Sequence, residues 1–475
     1  MTRFLVQTGL LAIRMFPFLV LLCVLVIPAF KGRYEGYVPV MIGGVAALVW
    51  LRWREPLIEG LGGKSFRWLI VVMLGIPALL QIALVFGVQP HPRFDGWFVY
   101  RHAEVLVETG RMDPFTYYPP AQTWWYGLWF TLFGSSFVVA QLSQIPLSLG
   151  VIWLTYRIGR DLGGEGVGRV AGLAVAWYPS FLLYVLTTPY YHYLYTLATL
   201  ALVHVLFRGD GPDRARGWVW LVAGVWAGIG ALTKAVQLIA PLQVLTFLVM
   251  WEMERSLRSQ ERAFGVVARS VLLRAGLVTA GLAVVLAPWV IRNYKVFDAF
   301  VPVCTSGGLV LLSANNPESN GLFSPTPDQV NLQTPAEMLT HSRWCSEQAK
   351  AFMREHPIAF LDLVWRKFLH TWGVEATFTE LINVRGTFYP WLKDGLSVAT
   401  LSGWSTLVVL WVVAAIHRIR RKEAGSAYEW LFGVLLLSNA VVYVIYEGGD
   451  RHHLPLVPLI LIWIVLQNKA FRAHP

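Results

Sequence analysis

Asp95 and three basic residues, Lys234, Arg292 and Arg451, stand near the ends of long apolar runs, where side chains of these types can displace a phosphate with a hydroxyl. Asp95 lies in the segment His91 to Tyr100, directly after the apolar stretch Arg67 to Val88. A carboxylate at a bilayer edge, partly desolvated by Phe94, Trp97 and Phe98, is suited to act as a general base toward a hydroxyl. Asp is also a favoured N-cap residue, so the same side chain is expected to cap a helix over Gly96 to Val107, and the two roles are compatible. Lys234 ends the run Gly230-Ala231-Leu232-Thr233-Lys234, between two apolar stretches with almost no loop. Arg292 and Asn293 close Ala287-Pro288-Trp289-Val290-Ile291-Arg292-Asn293-Tyr294. The guanidinium fork suits a phosphate, although anchoring a helix end is the commoner use of such a residue. Arg451 belongs to Glu447-Gly448-Gly449-Asp450-Arg451-His452-His453, a turn that carries more ionisable groups than so short a connection requires. Three cations and a carboxylate on one face suit a reaction in which a phosphate leaves and a hydroxyl attacks.

Further substrate contacts are expected from Tyr117 and Tyr118, which open an aromatic stretch running to Trp129, and from Asn293, Glu447, Asp450 and His452. His192, within Thr187 to Tyr193, is ringed by aromatic residues; a hydrogen-bonded core role competes there with a place in the site. His452 and His453 are adjacent and would point different ways on a helix, which argues against joint metal ligation. No cofactor is required by these residues, and a divalent metal has no support in their spacing.

The elements that must position these groups are membrane helices. The chain has 475 residues, 56% of them hydrophobic and only 14% charged. Its apolar runs of roughly 17 to 23 residues are long enough to cross a bilayer. Segments that span lipid must be helical, because lipid offers no partner for an open backbone hydrogen bond. The 22 Trp and 18 Tyr gather near the ends of these runs, as at membrane interfaces. Hydropathy predicts an all-α polytopic protein with about twelve spans, near 8–30, 35–51, 67–88, 135–156, 168–187, 190–207, 217–233, 236–252, 272–291, 397–416, 428–446 and 454–468. Arg14 is the one charge expected inside a span.

The net charge of +11 is spread over short loops rather than gathered on a basic domain, so it indicates topology and not a nucleic-acid partner. Arg52, Arg54, Lys64 and Arg67 share one connection, and Arg418, Arg420, Arg421 and Lys422 another. Placing both on the inner side puts both termini inside. Residues 89–134 and 292–396 then become two large outer loops, the places to look for function. The second contains helical patterns near 335–355 and 357–373. On the latter, Leu361, Trp365, Phe368, Leu369 and Trp372 share a face and Asp362, Arg366, Lys367 and His370 face away, so it either rests on the membrane surface or packs on protein. The three cysteines form no framework; Cys304 and Cys345 fall in one outer loop, where they either pair or remain thiols.

These motifs resemble the GT-C membrane glycosyltransferases of the family 39 type, related to protein O-mannosyltransferases and the lipid A aminoarabinose transferase. The resemblance rests on Asp95, on Tyr117-Tyr118-Pro119-Pro120 and Phe133-Gly134-Ser135, and on Leu232-Thr233-Lys234. It is strongest at Pro288 to Tyr294, with Phe300 to Val303 and Ala314 to Pro317 behind, and Arg451 with Leu454 to Pro458 match a terminal motif. It covers roughly residues 67–468. The division it implies is two additional helices in 1–66, a membrane core in 67–291 with the catalytic loop 89–134, the large loop 292–396, and C-terminal helices in 397–475. It also implies a polyprenyl-phosphate-sugar donor, a lipid, glycan or protein acceptor, and Asp95 as the base in an inverting transfer. Lys234, Arg292 and Arg451 would hold the donor phosphate. The site would open to the periplasmic or extracellular side of a multi-pass protein, most simply one of a bacterial inner or plasma membrane. Many members carry Asp-Glu where this chain has Asp95-Gly96, and an acidic residue where it has Thr188, Pro189 and His192.

Two other functions fit about twelve spans. A secondary transporter would place related halves around midplane charges, whereas here the ionisable groups sit at the rim. A non-catalytic lipid-binding scaffold would tolerate the loss of Asp95.

Overall fold

A computed structural model describes residues 1–30, 37–88, 94–114, 117–186, 191–208, 211–213, 215–258, 264–324, 334–373, 375 and 390–467. His91, Pro92 and Arg93 of the Asp95 motif, the side chain of Phe94, and Thr187 to Tyr190 lie outside the described residues. The described chain is helical and contains no strand. Its helices are α1 (Thr2–Phe30), α2 (Tyr37–Gly62), α3 (Phe66–Ile70), α4 (Ile76–Val88), α5 (Phe94–Thr109), α6 (Ala121–Phe133), α7 (Phe137–Leu142), α8 (Gln144–Ala176), α9 (Pro179–Leu183) and α10 (His192–Phe207). They continue with α11 (Gly217–Thr233), α12 (Ala240–Arg258), α13 (Phe264–Phe297), α14 (Gly307–Ser313), α15 (Pro335–Glu355), α16 (Pro357–Trp372), α17 (Pro390–Arg420), α18 (Ala427–Ile445) and α19 (Val457–Leu466).

Among the described residues seven helices are long and apolar enough to cross a membrane, and α10 and α11 are shorter apolar helices. Seven is fewer than the twelve spans expected from hydropathy, in part because the runs expected at 135–156 and 168–187 share one continuous helical stretch that folds back on itself. Within α8, Gly164 adopts φ 84° and ψ 178°, and the chain reverses there without a loop. The two arms touch through glycine: a methyl group at Gly168 would lie 2.6 Å from the Tyr156 carbonyl oxygen. Near the C-terminus the last run contributes only the ten residues of α19, preceded by 3₁₀ turns over Asp450–His452 and Leu454–Leu456.

The most extensive helix pairing joins α11 to α13. A methyl group at Gly224 would lie 2.1 Å from the Val278 carbonyl oxygen, and one at Gly281 would lie 2.1 Å from the Leu221 carbonyl oxygen. Gly228 meets Val285 one turn beyond Gly224. Lipid gives two apolar helices little reason to leave it, so this small-residue seam, by admitting close backbone approach, is what holds them together. It fixes the end of α11, and with it Lys234.

The first helix is part of the bundle rather than an appendage, and packs on α17, α12 and α18. Arg14 Nε lies 2.8 Å from Glu429 Oε1, its Nη2 donates to the Glu423 carbonyl at 2.8 Å, and Arg418 bonds the other Glu429 oxygen. Arg14 is thus no stray charge inside a span: it is paired where α17 turns into α18, and the pairing offsets the cost of burying it.

Helices α15 and α16 fall where the sequence pattern places them. Thr334 and Glu337 form a capping box at the start of α15. The second half of α16 does not rest on the surface. Phe368 and Trp372 pack edge-on against Phe16 of α1, and Trp372 is fully buried, while Ile358, Leu361 and Trp365 are exposed. Lys367, expected to face away, is also fully buried. Its ammonium bonds Asn315 Oδ1 and the Ile445 carbonyl, 3.1 Å away, at the open end of α18. Carbonyls left open at a helix C-terminus accept hydrogen bonds from the amine, which offsets part of the cost of bringing it inward. Cys304 and Cys345 do not pair: both are free thiols, as is Cys23.

Candidate active site

A cavity of about 410 Å³ opens where α11 ends, α12 begins and α18 ends. Six of the residues singled out in the sequence line it: Asp95, Tyr117, Tyr118, Lys234, Glu447 and Arg451. Its remaining wall is largely apolar and includes Leu238, Ile239, Val310 and Val442.

Asp95 is in the first turn of α5 rather than at its N-cap. There the carboxylate still meets the positive end of the helix dipole. Tyr118 donates its phenolic hydrogen to Asp95 Oδ1 at 2.9 Å. Burial first, and the Asp95 carboxylate second, push the Tyr118 hydroxyl far above its ordinary range, so it remains a donor. Burial and Asp95 do the same to Tyr117. Arg451 Nη1 stands 3.8 Å from Asp95 Oδ2, and its Nη2 donates to Glu447 Oε1 at 2.9 Å. Burial alone would raise the Glu447 carboxyl, but Arg451, His452 and Lys234 together hold it well below the usual carboxylate range.

Lys234 follows α11 in extended conformation, and its backbone N–H closes onto the Gly230 carbonyl at 2.7 Å. Its Nζ bonds the Tyr191 hydroxyl, lies 3.9 Å from the centre of the Tyr191 ring, and stands 3.2 Å from His452 Nδ1. Burial, and then the charge of Arg451, lower the affinity of Lys234 for its proton well below the ordinary value, against the pull of Glu447 and Asp95.

The other five residues expected in the site do not line the cavity. His452 lies behind the wall, 2% exposed, stacked on Tyr443 at 3.8 Å and with Nε2 3.0 Å from Glu447 Oε1. His192 is buried against the back of Tyr191, the rings 4.2 Å apart, and bonds Tyr184. Asp450 is buried in the 3₁₀ turn that carries Arg451. Asn293 is fully buried and donates to the Val301 carbonyl at 2.9 Å, tying the end of α13 to the chain that follows. Arg292, expected on a phosphate, instead donates to the Asp113 carbonyl at 2.6 Å, with its guanidinium 4.9 Å from the Trp289 ring centre. It fastens the segment after α5 to α13. Its sequence signal, an Arg at a span end, is the same for either task.

Tyr191, Tyr443, Tyr446 and Ser306 line the cavity without having been singled out. The aromatic residues around His192 are plain in the sequence, but which ring turns inward depends on the start of α10. Among the described residues no group of three or more His, Cys, Asp or Glu side chains is placed to hold a metal ion.

Comparison with curated protein sequences gives no match. Among solved structures, the chain is similar to an oligosaccharyltransferase of Archaeoglobus fulgidus in the apo form, at 13% identity and a TM-score of 0.49, over 85% of this chain and 50% of that one. This chain thus spans about half the length of that protein. It is also similar to ArnT of Cupriavidus metallidurans bound to undecaprenyl phosphate, at 15% identity and a TM-score of 0.41, over 85% of this chain and 77% of that one. The sequence model of a family described as dolichyl-phosphate-mannose-protein mannosyltransferase matches residues 118–286, which include Tyr118, Tyr191 and Lys234 but neither Asp95 nor Arg451. Over those residues the chain matches that membrane glycosyltransferase family, in keeping with the resemblance carried by its motifs.

Proposed function

We propose that this chain is an inverting membrane glycosyltransferase that moves a sugar from a polyprenyl-phosphate donor to a hydroxyl group. The observation that carries the reading is the lining of one cavity by Asp95, Arg451 and Lys234, beside an apolar wall. In this reading Lys234 meets the donor phosphate and the apolar wall takes the first isoprene units. Asp95 accepts the proton of the acceptor hydroxyl as the new C–O bond forms at the anomeric carbon. The bond to phosphate oxygen breaks on the opposite face, and the phosphate departs as a stable anion, so no strong general acid is needed. Tyr118 and Arg451 hold the Asp95 carboxylate, so that one oxygen remains available as an acceptor.

The division of the chain follows: residues 67–291, with the loop 89–134, supply the base and Lys234, residues 397–475 supply Glu447 and Arg451, and residues 292–396 contribute Ser306 and Val310 to the lining. The site faces the outer side of the membrane, periplasmic in a bacterial cell, where a lipid-borne sugar meets its acceptor. The acceptor is a lipid, a glycan or a protein hydroxyl.

The test is sugar transfer by purified protein in liposomes loaded with a polyprenyl-phosphate sugar, comparing wild type with D95N. Loss of a general base is expected to lower turnover by about 100-fold or more while the variant still binds undecaprenyl phosphate. Transfer by D95N at the wild-type rate would overturn the assignment.

A further inference from the structure

Lys234 is the one cation of the cavity that is not shared between carboxylates, and its ammonium is held from behind. One of its three hydrogens points to the Tyr191 hydroxyl and a second to His452 Nδ1, 3.2 Å away. That leaves one for a ligand in the cavity that Lys234 lines. With a phosphate in the cavity Lys234 is an ammonium, which carries no acceptor, so His452 Nδ1 must then present its lone pair. The other ring nitrogen, Nε2, faces Glu447 Oε1 at 3.0 Å and must carry the hydrogen. Both neighbours therefore select a single tautomer of neutral imidazole, and the assignment follows from the partners. The ring is fixed as firmly as its tautomer: it lies within 6° of parallel to Tyr443, and the His452 backbone N–H donates to the Gly449 carbonyl at 3.0 Å. Glu447 in turn is held by Arg451 at 2.9 Å. The chain of contacts thus runs from Asp95 through Arg451, Glu447 and His452 to Lys234, and joins the proposed base to the proposed phosphate cation.

We propose that His452 is a positioning residue: as the Nε2–H tautomer anchored on Glu447, it accepts a hydrogen bond from Lys234 and aims the ammonium at the phosphate of a polyprenyl-phosphate ligand. The inference rests on the glycosyltransferase reading of the cavity and adds to it the residue that orients the cation. Burial and the neighbouring Lys234 both disfavour the protonated ring and so leave the neutral imidazole that the geometry requires.

The test measures binding of undecaprenyl phosphate to the detergent-solubilised full-length protein. H452F keeps an aromatic ring against Tyr443 but offers no acceptor, and binding is expected to weaken by about tenfold or more. H452Q supplies an acceptor and a donor, and is expected to stay within about threefold of wild type. K234M should weaken binding at least as much as H452F, and the double variant K234M/H452F no further than K234M, since His452 acts only through Lys234. A merely structural histidine would lower the yield of folded protein in both His452 variants and leave the affinity of the folded fraction unchanged. Equal affinity of H452F and wild type, or additive losses in the double variant, would overturn the proposal alone. Failure of wild type to bind the probe would overturn the cavity reading and the proposal with it. ¹⁵N NMR of the histidine-labelled wild type, assigned with H452Q, tests the same point even where H452F does not fold. A protonated Nε2 with a bare Nδ1 supports the proposal, and the opposite tautomer overturns it.

Discussion

Arg451 Nη1 stands 3.8 Å from Asp95 Oδ2, near enough for attraction between charges but too far for a hydrogen bond. The tighter grip of the same guanidinium is on Glu447, at 2.9 Å. Arg451 therefore orients Asp95 without occupying the oxygen that would take a proton. A lysine at this position would present a single point charge and could not reach both carboxylates in fixed geometry.

From this follows a prediction for Arg451. R451K keeps the charge but loses the bridge, and transfer is expected to fall by about tenfold or more. R451M leaves Glu447 buried without its main cation, which typically costs about 2–5 kcal/mol, so both turnover and thermal stability should fall. Transfer rates and melting temperatures of the two variants, measured side by side, check this. Wild-type turnover in R451K would show that the bridge to Asp95 has no part in the reaction.

Much of this site was legible because lipid makes charge conspicuous. Asp95, Lys234, Glu447 and Arg451 each follow or interrupt an apolar run, and each lines the cavity. What stayed hidden depends on the direction in which a side chain turns. Arg292 shares the sequence signal of Arg451 but turns to the Asp113 carbonyl. Lys367 reads as part of a solvated face, yet it is drawn into the bundle by the carbonyl of Ile445. Tyr191 and Tyr443 look like any aromatic residue near a span end. In a membrane protein both the lipid-facing and the packed sides of a helix are apolar, so hydropathy locates a helix but does not say which face is inside.

The seam between α11 and α13 gives a prediction independent of chemistry. At Gly224 a side chain would run into the Val278 backbone, which cannot move aside as a flexible side chain can. Overpacking of this kind costs about 1–3 kcal/mol or more, and G224L should reduce the folded fraction and shift Lys234. At Gly276, on the same α13, nothing lies within 4 Å of the position a methyl group would take. G276A should leave stability unchanged or slightly raised, since glycine inside a helix costs about 0.5–1 kcal/mol relative to alanine. Monodisperse elution and melting temperature in detergent distinguish the two. A G224L protein as stable as G276A would mean that the close approach of the two backbones is not what joins these helices.

Lys367 makes stability depend on pH in a direction that can be stated beforehand. Burial brings its amine down to about 7, whereas the unfolded chain keeps the ordinary value of roughly 10.4. Above the unfolded value the amine is neutral in both states and exacts no penalty. As pH falls from there toward 7, the unfolded chain takes up the proton while the folded protein refuses it, and stability is lost across that window. A neutral amine still donates to Asn315 and to the Ile445 carbonyl, so the fold itself does not need the charge. Wild-type protein is therefore expected to melt at a higher temperature at pH 9 than at pH 7.5. In K367M that gain should shrink, because the group that titrates is gone, and the open end of α18 would keep only Asn315 as its donor to the Ile445 carbonyl, at 3.0 Å. Melting curves of both proteins from pH 7 to 10 decide the matter: parallel curves would show that Lys367 is protonated in the folded protein, and that its burial is balanced by carbonyl oxygens rather than by loss of charge.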